Sequence, residues 1–434
     1  MKPEFLTATQ ALALLRSGGL TSERLVSACL DRIAEKEPEL GTWVEINAGQ
    51  ALEQARACDR QAPGRPLHGL PIGVKDVLET TGFPTRCQSP IYAGAQPSID
   101  AYCVAAARRA GAIVLGKTTT SEFAYVTPPA TRNPHHPGHS PGGSSSGSAA
   151  AVAAHMVPLS LSTQTGGSTI RPAAYCGIVG FKPSFGLINR AGLKSVAESL
   201  DTIGVMARSV DDAALLAGVM AYRPLHCAPS PPRGRYRIAV CPDYLQPWAQ
   251  QDAREHMAEV AHRLEAAGAE LVPVALPGIF GQLVHDQVLI MEYEAARALL
   301  AEQREHGDLL SPGLRERLER GWRHTWDEYR RAQARAAACR GQWPSLLAGA
   351  DAFMTYSACG QAPPVSPDHA GDSIMNRAWT LLGVPCITLP TGIGDQGLPL
   401  GIQLVGEAGG DDALLGAARW VAGQSLSTDP KRRE

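Results

Sequence analysis

Residues 100–117, DAYCVAAARRAGAIVLGK, carry the grammar of the fold. An alanine-rich helical stretch runs up to Gly111, which stops it, and Ala112–Leu115 (AIVL) then reads as a buried strand. A strand that follows a helix across a glycine turn is the alternation of an α/β protein. Upstream, PLHGLPIGVKD (66–76) is punctuated by Gly and Pro around a second strand candidate, Leu70 to Val74. Downstream, YRIAVCPDYL (236–245) reads as a strand, and 252–276 as a helix followed by another strand. The C-terminal part returns to strands and turns in DAFMTYSAC, CITLPTGI and LPLGIQLVGE, before a final Ala-rich helix. The first 60 residues read as helices: ATQALALLRSG, TSERLVSACLDRIAEK, with Leu25, Cys29 and Ile33 on one stripe, and ALEQARACDRQ. Residues 280–345 are helical and highly charged. Between these parts lies TPPATRNPHHPGHSPGGSSSGS (127–148), without periodicity, and then an apolar helix. No repeat and no clean linker divides the chain, so one mixed α/β body is expected rather than three beads.

Composition excludes several classes. The 434 residues carry 40 Lys plus Arg against 42 Asp plus Glu, a formal charge of -2, which lacks the basic footprint of a nucleic-acid binder. Hydrophobic residues make up 44%, enough for a sizeable core and against global disorder. Ten Cys lie scattered from Cys29 to Cys386 without a tight pair, which argues against a disulfide scaffold or zinc knuckle. No secretory h-region opens the chain, and the most apolar stretch, Ala149 to Leu161, is too short to span a bilayer. A cytoplasmic protein without a membrane partner is the expectation. The anomaly is 44 Gly and 33 Pro, together roughly 18% of the chain where ~12% is usual.

Two short motifs match without their context. Gly111, Gly116, Lys117 and Thr118 satisfy G-x-x-x-x-G-K-[ST], but the intervening Ala112–Leu115 looks like the strand itself, not a flexible phosphate nest. Gly143, Ser145 and Gly147 satisfy G-x-S-x-G, yet a nucleophile elbow needs a preceding strand, and PHHPGHSPG has no strand character.

Three other pieces form a constellation. Lys75 ends an apolar strand-like run. Ser144, Ser145 and Ser146 follow Gly142 and Gly143, and Ser168 follows Gly166 and Gly167. A glycine pair before a serine lets backbone N–H groups converge closely on a substrate, as an oxyanion hole requires. Gly/Ser runs are often linkers, but apolar segments bound both of these. An ordinary Lys titrates near 10.4 and cannot act as a base; burial beside Ile72 and Val74 would bring it to ~7 to 8. Spacing alone does not decide between such a base and a surface charge.

GVKD (73–76), SPGGSSSGSAAAVA (140–153) and TQTGGSTIRPAAYCGIVGFKP (163–183) strongly resemble the amidase signature family. GKTTTSEFA, LDTIGVMARSVDDAALL and GLPLGIQLVG extend the likeness over roughly residues 5 to 425. The resemblance implies one domain in which a central mixed, twisted β-sheet is covered by helices on both faces. N-terminal helices (5–60) would precede a signature core (about 66–215) and a C-terminal part containing the charged segment 280–345. It also implies a Ser-cisSer-Lys triad, with Ser168 as nucleophile, Ser144 as the serine after a cis peptide bond, and Lys75 as base. The implied oxyanion hole is the backbone N–H groups of Thr165, Gly166, Gly167 and Ser168. Ser145 would join the hydrogen-bond network, Gly142 and Gly143 would support it, and Arg171 matches the family's structural arginine.

The chain departs from the family in places. Ser146 stands where Gly is frequent, Gln164 where some members have Asp, and His135 and His136 where many have Trp. The histidines are expected to pack or be solvated, not to react. The implied reaction is hydrolysis of a carboxylic amide through an acyl-enzyme, with no cofactor and no metal. Alternatives are a hydrolase of urea-derived compounds, the glutaminase subunit of a tRNA-dependent amidotransferase, and a catalytically dead scaffold. Amidotransferase A subunits are usually longer and carry a Tyr-, Asp- and Arg-containing substrate segment, where this chain has its charged helical block. A small amide is the expected partner, without direct nucleic-acid contact; a homodimer or a small accessory subunit stays open.

Overall fold

Eleven strands join edge to edge in one sheet, in the order β1-β3-β2-β4-β6-β5-β10-β11-β9-β7-β8. They are β1 (Trp43–Ile46), β2 (Pro71–Lys75), β3 (Ile113–Thr118), β4 (Leu159–Gln164), β5 (Val179–Lys182) and β6 (Thr202–Ala207), then β7 (Arg237–Val240), β8 (Glu270–Pro273), β9 (Ala352–Tyr356), β10 (Cys386–Ile393) and β11 (Pro399–Val405). The computed structural model describes residues 2–227 and 234–424. The sheet is mixed: β2 runs parallel to β3 and β4, β7 parallel to β8 and β9, and the remaining pairs are antiparallel. Every residue of β2, β3 and β4 is buried, as for strands covered on both faces.

The helices are α1 (Ala8–Ser17), α2 (Ser22–Leu40), α3 (Ala48–Asp59), α4 (Tyr102–Arg109), α5 (Ser146–Ala153), α6 (Ile170–Tyr175) and α7 (Val210–Met220), followed by α8 (Gln251–Ala266), α9 (Ile279–Ala298), α10 (Leu300–His306), α11 (Pro312–Arg323), α12 (Trp326–Leu346), α13 (Ile374–Leu382) and α14 (Asp411–Ala422). Local chemistry sets several ends. Thr7 with Gln10, and Thr325 with Glu328, form capping boxes that satisfy the first N–H groups of α1 and α12.

The single α/β unit with helices flanking a mixed sheet matches the expectation, but four strands escape the sequence reading. β1 interrupts the N-terminal helices. The apolar helix after the serine run ends at Ala153, and Leu159 already opens β4. β5 and β6 complete the centre. The P-loop match also resolves: Gly116, Lys117 and Thr118 belong to β3, and fully buried Lys117 pairs with Asp76 at 3.1 Å. No strand leads directly into Ser145, because β3 ends at Thr118, so the elbow geometry is absent there as well.

The charged block packs by two means. Trp343 of α12 and Trp379 of α13 lie 5.1 Å apart, and Phe353 of β9 lies 5.2 Å from Trp379. Such aromatic contacts add about 0.5–1.5 kcal/mol each beyond area burial. On the outer side, Glu292 of α9 accepts from Arg320 at 2.7 Å, from Arg317 at 3.2 Å and meets His324 at 3.0 Å. Asp286 takes both forks of Arg335, the bidentate pairing that fixes orientation as well as distance. These bonds tie α9 to α11 and α12.

Candidate active site

β2 delivers Lys75 at its last position, and its parallel neighbour β4 delivers Thr163. Between them the Lys75 Nζ donates to Thr163 Oγ1 at 2.8 Å and to Ser144 Oγ at 2.7 Å. The side chain is fully buried. Burial pushes its pKa from 10.5 down to about 7, with Asp201 pulling the other way. An amine in that state is half neutral near neutrality, which is what a general base needs.

Ser144 follows a cis peptide bond from Gly143. The turn around it is closed by hydroxyls and one guanidinium. Ser146 Oγ donates to the Gly142 carbonyl at 2.7 Å, giving a use to the serine that replaces the family's frequent glycine. Arg171 Nη2 donates to the Gly143 carbonyl at 2.6 Å and Nη1 to the Gly371 carbonyl at 2.8 Å. Ser145 Oγ donates to the Thr163 carbonyl at 3.3 Å. Gly142 has φ +80°, and a Cβ there would stand 2.7 Å from Pro172 Cα, so no other residue fits.

Ser168 lies between β4 and α6, and the turn 165–169 is held from outside. Gln164 accepts the N–H groups of Thr169 and Ile170 at 2.9 and 3.0 Å, capping α6, and donates to Thr380 at 2.9 Å. Thr380 Oγ1 donates in turn to the Gly166 carbonyl at 2.6 Å. The Thr165 carbonyl accepts from Gln287 at 2.9 Å, and the Thr165 hydroxyl donates to Asp201. With their carbonyls occupied, the N–H groups of Gly166, Gly167 and Ser168 have no hydrogen-bond acceptor among the described residues. Gly167 leaves no room for a side chain, since a Cβ would meet Asn376 Oδ1 at 2.3 Å.

Gly166, Gly167, Ser168 and Arg171 line one cleft of about 540 Å³, whose opposite wall includes Gln287, Met291 and Arg317 from the charged block. Residues 280–345 thus shape the mouth of the site. Lys75 and Ser144 sit behind the serine, 0% and 2% exposed. A larger concavity, about 1230 Å³, lies among Tyr92, Lys194, Arg297 and Trp326 and contains none of these groups. The chemistry marks the smaller cleft as the candidate site. His135 and His136 stand apart from it: His135 Nε2 meets the Cys176 carbonyl at 2.9 Å, and His136 packs on His139. Among the described residues no three His, Cys, Asp or Glu side chains are grouped to hold a metal, and no helix is long and apolar enough to cross a membrane.

The sequence reading missed Asp201, Thr163, Gln287, Asn376 and Thr380. Asp201 holds the Ser195 hydroxyl at 2.8 Å and the N–H groups of Val196 and Ala197 at 2.9 and 3.1 Å, besides Thr165. Its signal was present, since it lies within LDTIGVMARSV, one of the stretches that carry the family likeness.

A family model described as Amidase matches residues 24–415. The A subunit of glutamyl-tRNA(Gln) amidotransferase from Roseiflexus castenholzii (strain DSM 13941 / HLO8) is 33% identical, over 94% of this chain and 94% of its own. A crystal structure of an amidase superposes with a TM-score of 0.88 at 30% identity, covering 96% of this chain and 99% of the other. The native peptide amidase of Stenotrophomonas maltophilia superposes with a TM-score of 0.84 at 30% identity, covering 98% of each chain.

Proposed function

The chain belongs to the amidase signature family of hydrolases, and on that premise we propose that it cleaves a carboxylic amide to an acid plus ammonia or an amine through an acyl-enzyme on Ser168. The observation that carries this reading is the buried Lys75 amine, brought to about 7 and 2.7 Å from Ser144 Oγ, behind the cleft that Ser168 lines. Neutral Lys75 accepts the Ser144 proton as Ser144 accepts that of Ser168. Thr163 fixes the amine's orientation. Ser168 Oγ then attacks the carbonyl carbon, and the oxyanion is met by the free N–H groups of the 165–168 turn. Each such donor is worth about 3–4 kcal/mol in the transition state. As the C–N bond breaks, Ser144 returns a proton to the leaving nitrogen. Water repeats the sequence on the acyl-enzyme.

The test is a fluorophosphonate adduct mapped by mass spectrometry, with ammonia release measured over amides and ureides. Label on Ser168, lost together with turnover in Ser168→Ala, is the expected result; full turnover in that variant would sink the assignment.

The likeness to the amidotransferase of Roseiflexus castenholzii supports a second reading, in which the amide is glutamine and a partner protein consumes the ammonia. It predicts glutaminase activity that rises on adding a copurifying partner. Glutamine hydrolysis unchanged by any partner, or absent beside brisk turnover of other amides, argues for the first reading.

A further inference from the structure

Ser121 carries a hydroxyl with no hydrogen-bond partner among the described residues. The residue lines the cleft together with Gly166, Gly167 and Ser168, and it is only 2% exposed. It precedes a single helical turn, Glu122–Ala124, where a serine ordinarily turns its oxygen onto a backbone N–H, yet it makes no such cap. A buried polar atom is nearly always paired, either within the protein or with something that enters from outside. For Ser121 the outside is the cleft.

The backbone fixes where that hydroxyl stands. The Ser121 N–H donates to the Ser144 carbonyl at 3.2 Å, and a Cβ on Gly143 would lie 3.2 Å from Ser121 Oγ. The oxygen therefore borders the turn that carries Ser144, the group that returns a proton to the leaving nitrogen. Other acceptors around the nucleophile are occupied. The backbone carbonyls of residues 142–144 and 165–168 each already hold a donor of the protein, and Ser373 Oγ accepts from Arg377 at 3.2 Å. A leaving group at Ser144 thus meets an uncommitted acceptor in the Ser121 oxygen.

We propose that Ser121 Oγ accepts an N–H of the scissile amide as its nitrogen becomes the leaving group, and that the physiological amide carries at least one hydrogen on that nitrogen. The inference rests on the amidase reading of the same cleft and adds a substrate contact that Lys75, Ser144 and Ser168 do not supply. Amide chemistry creates the need for it. When Ser168 Oγ bonds to the carbonyl carbon, the carbonyl π pair moves to oxygen. The nitrogen pair is released from resonance on the face away from the attacking oxygen. That pair must turn toward Ser144 and take up its proton before the C–N bond breaks. Turning swings an N–H outward, and a fixed acceptor favours the turned form. Ser121 itself transfers no proton. Its bond is made on the way to the transition state and not to the planar amide, so it raises the rate of amide cleavage. An ester has no hydrogen on its leaving oxygen and no such requirement.

The experiment compares wild type with Ser121→Ala on a primary amide and an activated ester of one acyl group, beside the rate at which a fluorophosphonate labels Ser168. The variant removes an oxygen that holds nothing among the described residues, so its unfolding midpoint should match that of wild type. Its kcat/KM on the amide should fall about tenfold or more, the size of one lost hydrogen bond, with the loss in kcat and KM little changed. Ester turnover and the labelling rate, neither of which presents an N–H, should stay within about twofold of wild type. An equal fall in amide turnover and labelling rate would mark Ser121 as a support of the nucleophile. Undiminished amide turnover would mark a hydroxyl that only water solvates. Either result overturns the proposal. Labelled wild type without the amide-specific loss refutes only the role of Ser121, and unlabelled wild-type enzyme refutes the amidase reading beneath it.

Discussion

Replacing Lys75 by methionine and following stability from about pH 6 to about pH 9 isolates the charge state of one amine. Burial lowers this group from 10.5 to about 7. At roughly 1.4 kcal/mol per factor of ten, the folded state disfavours the ammonium by about 5 kcal/mol. The folded value lies below the unfolded one, so between about 7 and 10.5 the unfolded chain binds the extra proton and stability rises with pH. Below about 7 both states are protonated and the full penalty applies. Wild type should therefore gain about 3 kcal/mol on Lys75→Met across the range from pH 6 to 9. The variant also leaves Ser144 and Thr163 without a donor, but that loss does not change with pH and cancels in the comparison. Denaturant midpoints of both proteins at several pH values supply the assay. A kinetic companion is the acid limb of kcat/KM, expected to fall tenfold per pH step below a midpoint near 7. A flat stability gap between the two proteins, or an acid limb displaced well away from 7, would refute the idea that burial makes this lysine a base.

Asp201→Asn keeps the shape but removes the charge that raises the Lys75 pKa, so the acid limb should move to lower pH while kcat falls as the Thr165 turn loosens. A pH profile with an unmoved midpoint would count against that coupling. Gly167→Ala drives a methyl into Asn376, and since the 165–168 turn must shift, kcat should drop about a hundredfold or more with a smaller change in KM. Lys117→Met leaves the Asp76 carboxylate buried without its cation and should destabilise by about 3–5 kcal/mol, read as an early unfolding midpoint with Ser168 still labelled in the surviving folded fraction.

How much of this was legible depends on where each signal lies along the chain. β2 and the first part of β3 announce themselves as apolar runs beside glycine, and the helices show their apolar stripes. β4 does not, because LSLSTQ alternates aliphatic and hydroxyl residues and all six are buried. Those hydroxyls are satisfied inside the protein: Ser160 donates to the Gly73 carbonyl, and Ser162 shares a proton with Thr169. β5 hides a lysine, Lys182, that bonds the carbonyls of Pro183 and Val384. β1 is a four-residue interruption between helices. Lys75, Ser144 and Ser168 stand out in the sequence because nearby glycines and family motifs are local. Thr163, Gln287 and Thr380 were missed because their bonds to the site span from 88 to 216 residues. No local pattern encodes such partnerships.

The buried amine behind the cleft and the wall that faces it stand on different elements of the fold. Lys75 and Thr163 stand on β2 and β4, adjacent strands whose register is fixed by a fully buried parallel ladder. The facing wall is contributed by side chains of α9, α11 and α13, outside that ladder. Apart from Gln287 and Thr380, which hold the 165–166 carbonyls, change in the helices can therefore redraw the cleft without moving Lys75 or Ser144. A chimaera that keeps the strands of this chain and takes its 279–346 segment from a relative should inherit its reaction from the one and its diet from the other.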